Sequence, residues 1–209
     1  RQRQMCIRDS PSASWKDALR TPAFWLISSA HGIALLSVST VLVHLIPHLT
    51  HKLGMGLTEA GLVFSTVSVF QIFGIACGGY LGDRFSKRLI CVYCMIFHGS
   101  GMLVLAFFDD YLLLLMFAVL HGLAWGIRGP QMVAIRADYF GAKSFGKIMG
   151  ISSLVVMLGM MGGPLICGLV VDHFGVYRNA FISIGLISLL GSILFYLARK
   201  PDFKVDHKG

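Results

Sequence analysis

Charged residues are scarce in this chain of 209 residues, and their scarcity excludes most water-soluble folds. Only 13% of the residues are Asp, Glu, Lys or Arg, whereas 56% are hydrophobic. Proline is also rare, with 6 residues, so long helices can continue with few interruptions. Neither a disordered chain nor an ordinary soluble globule has this composition. Ten-residue segments of alternating hydrophobicity, which are typical of a membrane β-barrel, are absent from the sequence.

Long hydrophobic runs fill the chain instead. Each has about 20 residues or more, enough for an α-helix to cross about 30 Å of hydrocarbon at about 1.5 Å per residue. We therefore predict an all-α transmembrane domain over residues 15–200, followed by a cytoplasmic tail over residues 201–209. The predicted spans are residues 24–46, 58–81, 89–108, 111–135, 148–171 and 179–198.

Lysine and arginine gather on one side of the predicted spans. Only Lys52 and Arg178 fall on the opposite side. By the positive-inside rule, both termini are expected in the cytoplasm, and the net charge of +8 indicates topology rather than nucleic-acid binding. The twelve residues on the basic side are Lys16, Arg20, Arg84, Lys87, Arg88, Arg136, Lys143, Lys147, Arg199, Lys200, Lys204 and Lys208.

Residues 1–14 do not continue the hydrophobic pattern. The opening sequence RQRQMCIRDS starts at Arg1 and resembles translated adaptor or cloning sequence, with a genuine cytoplasmic linker as the alternative. We therefore exclude residues 1–10 from the predicted fold and treat residues 1–14 as an N-terminal linker or sequence scar.

The sequence contains little that indicates an enzyme or a metal protein. Cys91 and Cys94 form a CxxC pair, but no second pair and no neighbouring histidine complete a ligand set, so small apolar packing is expected. No Walker loop and no nucleophile with a base are found in the sequence. We expect no metal, no cofactor and no enzymatic activity.

A repeat links the ends of the second and fifth predicted spans. Two sets of glycine, aspartate and phenylalanine are offset by 89 residues: Gly79, Asp83 and Phe85, then Gly168, Asp172 and Phe174. An odd number of spans separates the copies, so they face opposite sides of the membrane. This pattern predicts two inverted repeats of three helices each.

The first copy of the repeat carries a family resemblance. GYLGDRFSKR resembles GxLaDRxGRR, the sequence between the second and third helices of each half of a major facilitator superfamily transporter. Gly79, Asp83, Arg84 and Arg88 match this pattern, whereas Ser86 replaces the second glycine. The departure makes the expected tight turn less well defined.

Further segments extend the resemblance. In GMMGGPLICG, the pattern of the fifth and eleventh helices of the superfamily is matched by Gly159, Gly163, Pro164 and Gly168. ALRTPAFW, VLVHLIPHL and GLAWGIRGPQMVAIRADYFG resemble the monocarboxylate and oxalate/formate transporter branch. Residues 15–200 thus resemble helices seven to twelve of such a transporter.

The resemblance implies a secondary active carrier of small organic anions, coupled to protons or to a counter-anion and working by alternating access. It implies the lipid bilayer of a plasma or cytoplasmic membrane as surroundings, and a missing N-terminal six-helix half as partner. A sugar or drug transporter of the same superfamily is the alternative. So is a six-helix membrane protein without transport activity of its own, for example a dimeric pore or scaffold.

Asp83 is a candidate gate residue. It would interact with the positive N-terminus of the fifth helix near Lys147 and pair with Arg84 or Arg88, closing the cytoplasmic side. The alternative is a helix-terminating residue that only sets topology. Asp83→Asn is expected to slow transport without loss of expression.

Arg128 is the candidate substrate-binding residue. Burying its charge near membrane depth costs at least about 2.5 kcal/mol, so we expect it to face a cavity, with Gly126, Gly129 and Pro130 loosening the backbone beside it. Its planar fork matches a carboxylate, which indicates an organic anion. The alternatives are snorkelling to the interface and pairing with Asp138.

Further polar residues are candidates for the lining of the substrate path. His31, His44 and His121 lie on the helices that line the path in the superfamily, and a histidine titrating near about pH 6.5 can carry a proton. Each can also be a packing residue. Gln71 is a weaker candidate that can bridge helices, and His98 is expected to be structural.

Small residues at GxxxG spacing predict close helix packing. Gly146 and Gly150 form one such pair, and Gly159 and Gly163 form another.

Overall fold

The computed structural model describes residues 13–203, which form seven α-helices and no strand. The helices are α1 (Trp15–Arg20), α2 (Pro22–Pro47), α3 (Leu57–Arg84), α4 (Lys87–Phe107), α5 (Tyr111–Phe140), α6 (Phe145–Phe174) and α7 (Tyr177–Leu197). A π-helical turn, His48–Lys52, continues α2. Helices α2 to α7 are long and apolar enough to cross a membrane, which confirms the all-α prediction with six spans. Most of residues 1–14 and of the predicted tail lie outside the described residues.

Local signals at the helix ends explain most of the boundaries. Thr21 caps α2 by accepting a hydrogen bond from the backbone N–H of Phe24 at 3.3 Å, and Pro22 occupies the first helical position. Asp110 caps α5 through its carboxylate, which accepts from the backbone N–H groups of the next turn. Gly175 ends α6 with φ of 73°, a conformation that glycine adopts without strain.

The fourth predicted span was too short. Residues 111–135 were expected to form it, whereas α5 continues to Phe140 and includes Arg136. The predicted span ended before Arg136, because the hydrophobic pattern could not show that this charge is buried by other helices. Arg136 is therefore part of the bundle and is not one of the loop charges on the basic side.

The helices pack in pairs that an inverted repeat requires. Helix α2 packs along α6, α3 along α5, and α4 along α7. If α2, α3 and α4 are exchanged with α5, α6 and α7, the first two pairs exchange with each other and the third maps onto itself. The contacts of α4 with α5 likewise correspond to those of α7 with α2. The bundle thus has the pseudo-two-fold arrangement that the sequence repeat predicted.

Glycines allow the α3–α5 pair to approach closely. A Cβ atom on Gly126 would collide with the backbone at Gln71 and Gly74, and one on Gly122 would collide with the backbone at Val67. Side chains at these positions would hold the two helices apart, so the absence of a Cβ sets their separation.

Helix α6 contributes only one stripe to the interior. Its buried residues recur at intervals of four or seven residues, and they are Ile148, Ser152, Val156, Gly163 and Cys167. The other faces of α6 carry exposed apolar side chains, including Leu158, Met161 and Leu165. Helix α3 is similarly exposed, so both helices present broad apolar surfaces to lipid or to further protein.

Candidate functional site

Two arginines on α5 are enclosed by the six helices. Arg128 and Arg136 are each 1% exposed. Among residues 13–203, the single ion pair within 4.0 Å is Lys87–Asp138, with 2.8 Å between Nζ and Oδ2. Neither buried guanidinium therefore has a carboxylate partner in the described part of the chain. A buried cation without a counter-charge is costly, and such residues in membrane proteins are usually functional.

Arg136 joins three helices through hydrogen bonds. Its Nη1 donates to the Met132 carbonyl at 2.8 Å, and its Nη2 donates to Ser152 Oγ at 2.7 Å. Nη2 also donates to His31 Nδ1 at 3.3 Å. Because arginine can only donate, this Nδ1 must accept, which places the proton of a neutral His31 on Nε2. Ser152 further shares a hydrogen bond with Ser28 at 2.8 Å, so α2, α5 and α6 meet at this cluster.

Arg128 lies two turns C-terminal to His121 on the same face of α5, since seven residues correspond to about two turns. Its Nε has no hydrogen-bond partner among the described residues. The alternative pairing of Arg128 with Asp138 is not formed, because that carboxylate pairs with Lys87. Snorkelling does not occur either, because the side chain is fully enclosed.

Two expectations about the surroundings of Arg128 need correction. The guanidinium lies inside the bundle and not on an open cavity wall. The backbone at Gly126, Gly129 and Pro130 remains continuous α-helix and is not unwound, so the loosening is limited to the hydrogen bond that Pro130, without an N–H, cannot donate to the Gly126 carbonyl. Gly126 serves the contact with α3, whereas Gly129 faces open space.

A histidine pair links α4 to α5. His98 and His121 are fully buried, with 3.2 Å between their Nδ1 atoms and 4.4 Å between their ring centroids. When both rings are neutral, one Nδ1 donates and the other accepts. The Nε2 atoms of both rings have no partner among the described residues. His98, expected to be only structural, is therefore the direct partner of a predicted site residue.

The remaining candidate lining residues are at helix contacts. Half-buried His44 has its Nε2 3.1 Å from the carbonyl oxygen of Pro164, at the crossing of α2 and α6. The backbone carbonyl of Gln71, on α3, lies against Gly126 of α5. The structure thus brings His31 close to Arg136 and His121 close to His98, while His44 and Gln71 lie elsewhere.

The residues of the proposed gate do not pair with one another in this conformation. Asp83 is exposed and forms no ion pair with a described residue. The guanidinium of Arg84 lies 4.5 Å from the ring centroid of Tyr80, and that of Arg88 lies 5.8 Å from that of Tyr196. Helix α3 also has no substantial packing against α6, so the expected contact of Asp83 with the N-terminus of the fifth span is not formed.

The glycines predicted to pack helices differ in their surroundings. A Cβ on Gly159 would collide with the Gly32 backbone, and one on Gly163 would collide with the Leu36 carbonyl. No atom lies within 4 Å of a Cβ at the three other glycines predicted to pack helices, which are Gly146, Gly150 and Gly168. The same is true of Gly79 in the proposed gate, so the described residues form no close packing at these positions.

Sequence reasoning missed several polar residues of the interior. Ser28, Ser152 and Gln131 are buried, and the Gln131 amide donates to the Gly78 carbonyl at 2.6 Å. A serine or glutamine within an apolar span is only a weak signal of a hydrogen bond between helices. Arg136 had a stronger signal, because it follows Arg128 by eight residues and comes directly after the predicted fourth span.

Six membrane spans arranged as two inverted triplets are the architecture of one half of a solute carrier. Residues 27–209 match the family model of the Major Facilitator Superfamily, and the chain belongs to this superfamily. The resemblance found in the sequence is thereby confirmed. Membership, together with the six spans, indicates an integral, multi-pass membrane protein.

Curated relatives fall into two groups. A "Multidrug resistance protein B homolog" of Mycobacterium tuberculosis is 31% identical over 130 residues, covering 61% of this chain and 24% of that protein. A "Multi-drug resistance efflux pump" of Streptococcus pneumoniae is 26% identical, covering 91% and 47%. "Monocarboxylate transporter 2" of Meriones unguiculatus is 21% identical, covering 87% and 38%. The chain thus spans about a quarter to a half of the length of these relatives.

A solved structure has the same fold. The crystal structure of an auto-inhibited peptide transporter of the POT family superposes with a TM-score of 0.75 at 20% identity. The alignment covers 88% of this chain and 38% of the other. This likeness supports the six-helix half of the superfamily fold.

Proposed function

We propose that the chain is the C-terminal half of a secondary carrier for small organic anions that works by alternating access. The observation that carries this proposal is the pair of enclosed arginines on α5, Arg128 and Arg136, for which the described residues provide no carboxylate. An anion is the natural counter-charge for a buried guanidinium, whose planar fork matches a carboxylate. The length of the relatives and their division into halves support a second, N-terminal half as the partner.

The two arginines have different roles in this proposal. Arg136 is already bonded to a carbonyl, a serine and a histidine, so it mainly holds α2 and α6 against α5. Arg128 keeps an unpartnered Nε and is the residue that binds the anion. Because it is enclosed here, the anion reaches it in another conformation of the transport cycle. The His98–His121 pair is the proposed carrier of a coupled proton.

The test is uptake into proteoliposomes by the full-length gene product that contains this chain. Labelled lactate, formate and oxalate are the probes, and Arg128→Lys is the main variant. Lysine keeps the charge but loses the fork, and charged hydrogen bonds contribute about 1.5–3 kcal/mol, so KM should rise about tenfold or more. Arg128→Ala should abolish saturable uptake.

Lys143→Gln is the matched control, since Lys143 is an exposed loop residue. It should keep the wild-type KM, and a monodisperse elution profile of each variant shows that the fold survives. Equal KM values for wild type and Arg128→Lys would contradict a bidentate role, and full activity of Arg128→Ala would contradict an anion site at Arg128.

Efflux of lipophilic solutes is the second candidate function. It is favoured by the relatives named as multidrug pumps, which include the two at 31% and 26% identity. Export of a cationic dye such as ethidium, together with absence of anion uptake, would support this alternative. A buried cationic site is unsuited to a cation, so dye export that depends on Arg128 is not expected.

A further inference from the structure

An apolar groove runs along α4 on the outside of the bundle. It encloses about 320 Å³ between α3, α4 and α5. Its walls are almost entirely hydrocarbon or aromatic, with Leu81 from α3, Ile127 from α5, and Leu89, Tyr93 and Phe97 from α4. Leu89, Tyr93 and Phe97 follow one another at intervals of four residues, so they form a continuous stripe along α4.

The length of the groove matches the hydrocarbon thickness of one membrane leaflet. From Ser86 to Phe97 the lining extends over eleven residues, or about 16 Å at about 1.5 Å per residue. Half of a hydrocarbon core is about 15 Å. Phe97 lies at the middle of α4 (Lys87–Phe107), and Ser86 precedes its first residue. An extended acyl chain in the groove would therefore reach from the headgroup level to the bilayer centre.

A basic pocket adjoins the end of the groove at Ser86. It has a volume of about 520 Å³ and shares Phe85 and Ser86 with the groove. Three of its lining residues are cationic, namely Lys87, Arg88 and Lys200, and one is acidic, Asp138. Asp138 is paired with Lys87, with 2.8 Å between Nζ and Oδ2. Arg88 and Lys200 therefore have no carboxylate partner among residues 13–203 and can interact with an anion.

We propose that the groove and the basic pocket together form a binding site for one anionic phospholipid of the adjacent leaflet. One acyl chain lies along Leu89, Tyr93 and Phe97, and the headgroup phosphate contacts Arg88 and Lys200. Charge complementarity selects an anionic headgroup over a zwitterionic one, because the pocket has an excess of positive charge. A free anion would occupy only the basic pocket. The adjoining groove, which shares Phe85 and Ser86 with the pocket, would then have no occupant. This site does not depend on the identity of the transported solute.

The experiment measures lipid retention by native mass spectrometry on the delipidated full-length gene product. Phosphatidylglycerol and phosphatidylcholine with identical acyl chains are added at equal concentration. Wild type should retain phosphatidylglycerol about tenfold better than phosphatidylcholine. Arg88→Gln combined with Lys200→Gln should bring the two lipids to within about twofold, because each surface cation attracts an anionic lipid independently. Arg199→Gln, which removes a neighbouring exposed charge outside the pocket, should keep the wild-type preference.

A second readout tests the groove. Phosphatidylglycerol with a diazirine at its acyl terminus should label α4 peptides that contain Phe97. Leu89→Trp should block this labelling by filling the groove, whereas Leu190→Trp, at an exposed position of α7, should not.

Three results would overturn the proposal. The first is equal retention of the two lipids by wild type. The second is displacement of phosphatidylglycerol by an equal concentration of inorganic phosphate, which would identify a free-anion site. The third is absence of α4 labelling together with a crosslink from a photoreactive residue replacing Tyr93 to polypeptide outside this chain, which would show that protein covers the groove.

Discussion

Single polar residues hold this apolar bundle together at a few positions. Ser152 accepts from Arg136 at 2.7 Å and shares a hydrogen bond with Ser28 at 2.8 Å, so one hydroxyl group joins α2, α5 and α6. In an apolar interior, each such bond is difficult to replace when a partner is lost.

We therefore expect Ser152→Ala to destabilise the protein by about 1–3 kcal/mol, because it leaves a buried guanidinium N–H without an acceptor. Ser153→Ala is the control, since the Ser153 hydroxyl is exposed and bonds only to the Met149 carbonyl of its own helix. It should change stability by less than about 0.5 kcal/mol. Denaturant unfolding in detergent measures both. Equal effects of the two variants would show that the cluster has no special contribution.

For single residues, the sequence indicated which charged residues are unusual, but it did not indicate their hydrogen-bond partners. Arg128 was visible because a charge stood inside a hydrophobic run, and its enclosure agrees with that signal. The network around Arg136 was not predictable, because His31 is 105 positions away in the chain. The periodicity of one helix contains no information about which other helix covers it. The prediction that Asp83 acts as a gate stays a prediction.

Among the helices, the crossing of α3 and α5 is the contact most dependent on small residues. Gly126→Ala should destabilise the bundle by about 1–3 kcal/mol, because the new methyl group meets backbone atoms that cannot rotate away. Gly129→Ala on the same helix meets nothing within 4 Å and should be neutral or stabilising by up to about 1 kcal/mol. Thermal unfolding in detergent compares them. A more stable Gly126→Ala variant would contradict the packing described for this crossing.

The elements themselves were largely predictable. Hydropathy identified all six spans, because each run is long enough to satisfy its own backbone hydrogen bonds in lipid. The ends were less predictable, since charged residues such as Arg84 and Arg136 remain helical after the apolar pattern stops. The π-helical turn His48–Lys52 and the short helix α1 had no signal in the hydrophobic pattern.

For the whole molecule, the inverted repeat fixes which loops share a side, and the distribution of charge predicts which side is cytoplasmic. A cysteine replacing Lys143, between α5 and α6, should react only with reagents on the cytoplasmic side, and one replacing Asp109, between α4 and α5, only with external reagents. Intact cells treated with a membrane-impermeant maleimide provide the measurement, in a background with Cys6→Ser and Cys77→Ser. External labelling at position 143 would reverse the proposed topology.

The exchange of helices between the two triplets has a consequence for biosynthesis. Helices α2, α3 and α4 have few contacts with one another, because each finds its main partner among α5, α6 and α7. During synthesis the first triplet therefore enters the membrane before its partners exist. It must remain loosely associated, or be held by the insertion machinery, until α5, α6 and α7 emerge. A ribosome that stalls after α4 would release three unpaired helices, and a membrane protease that recognises unpaired helices would degrade them readily.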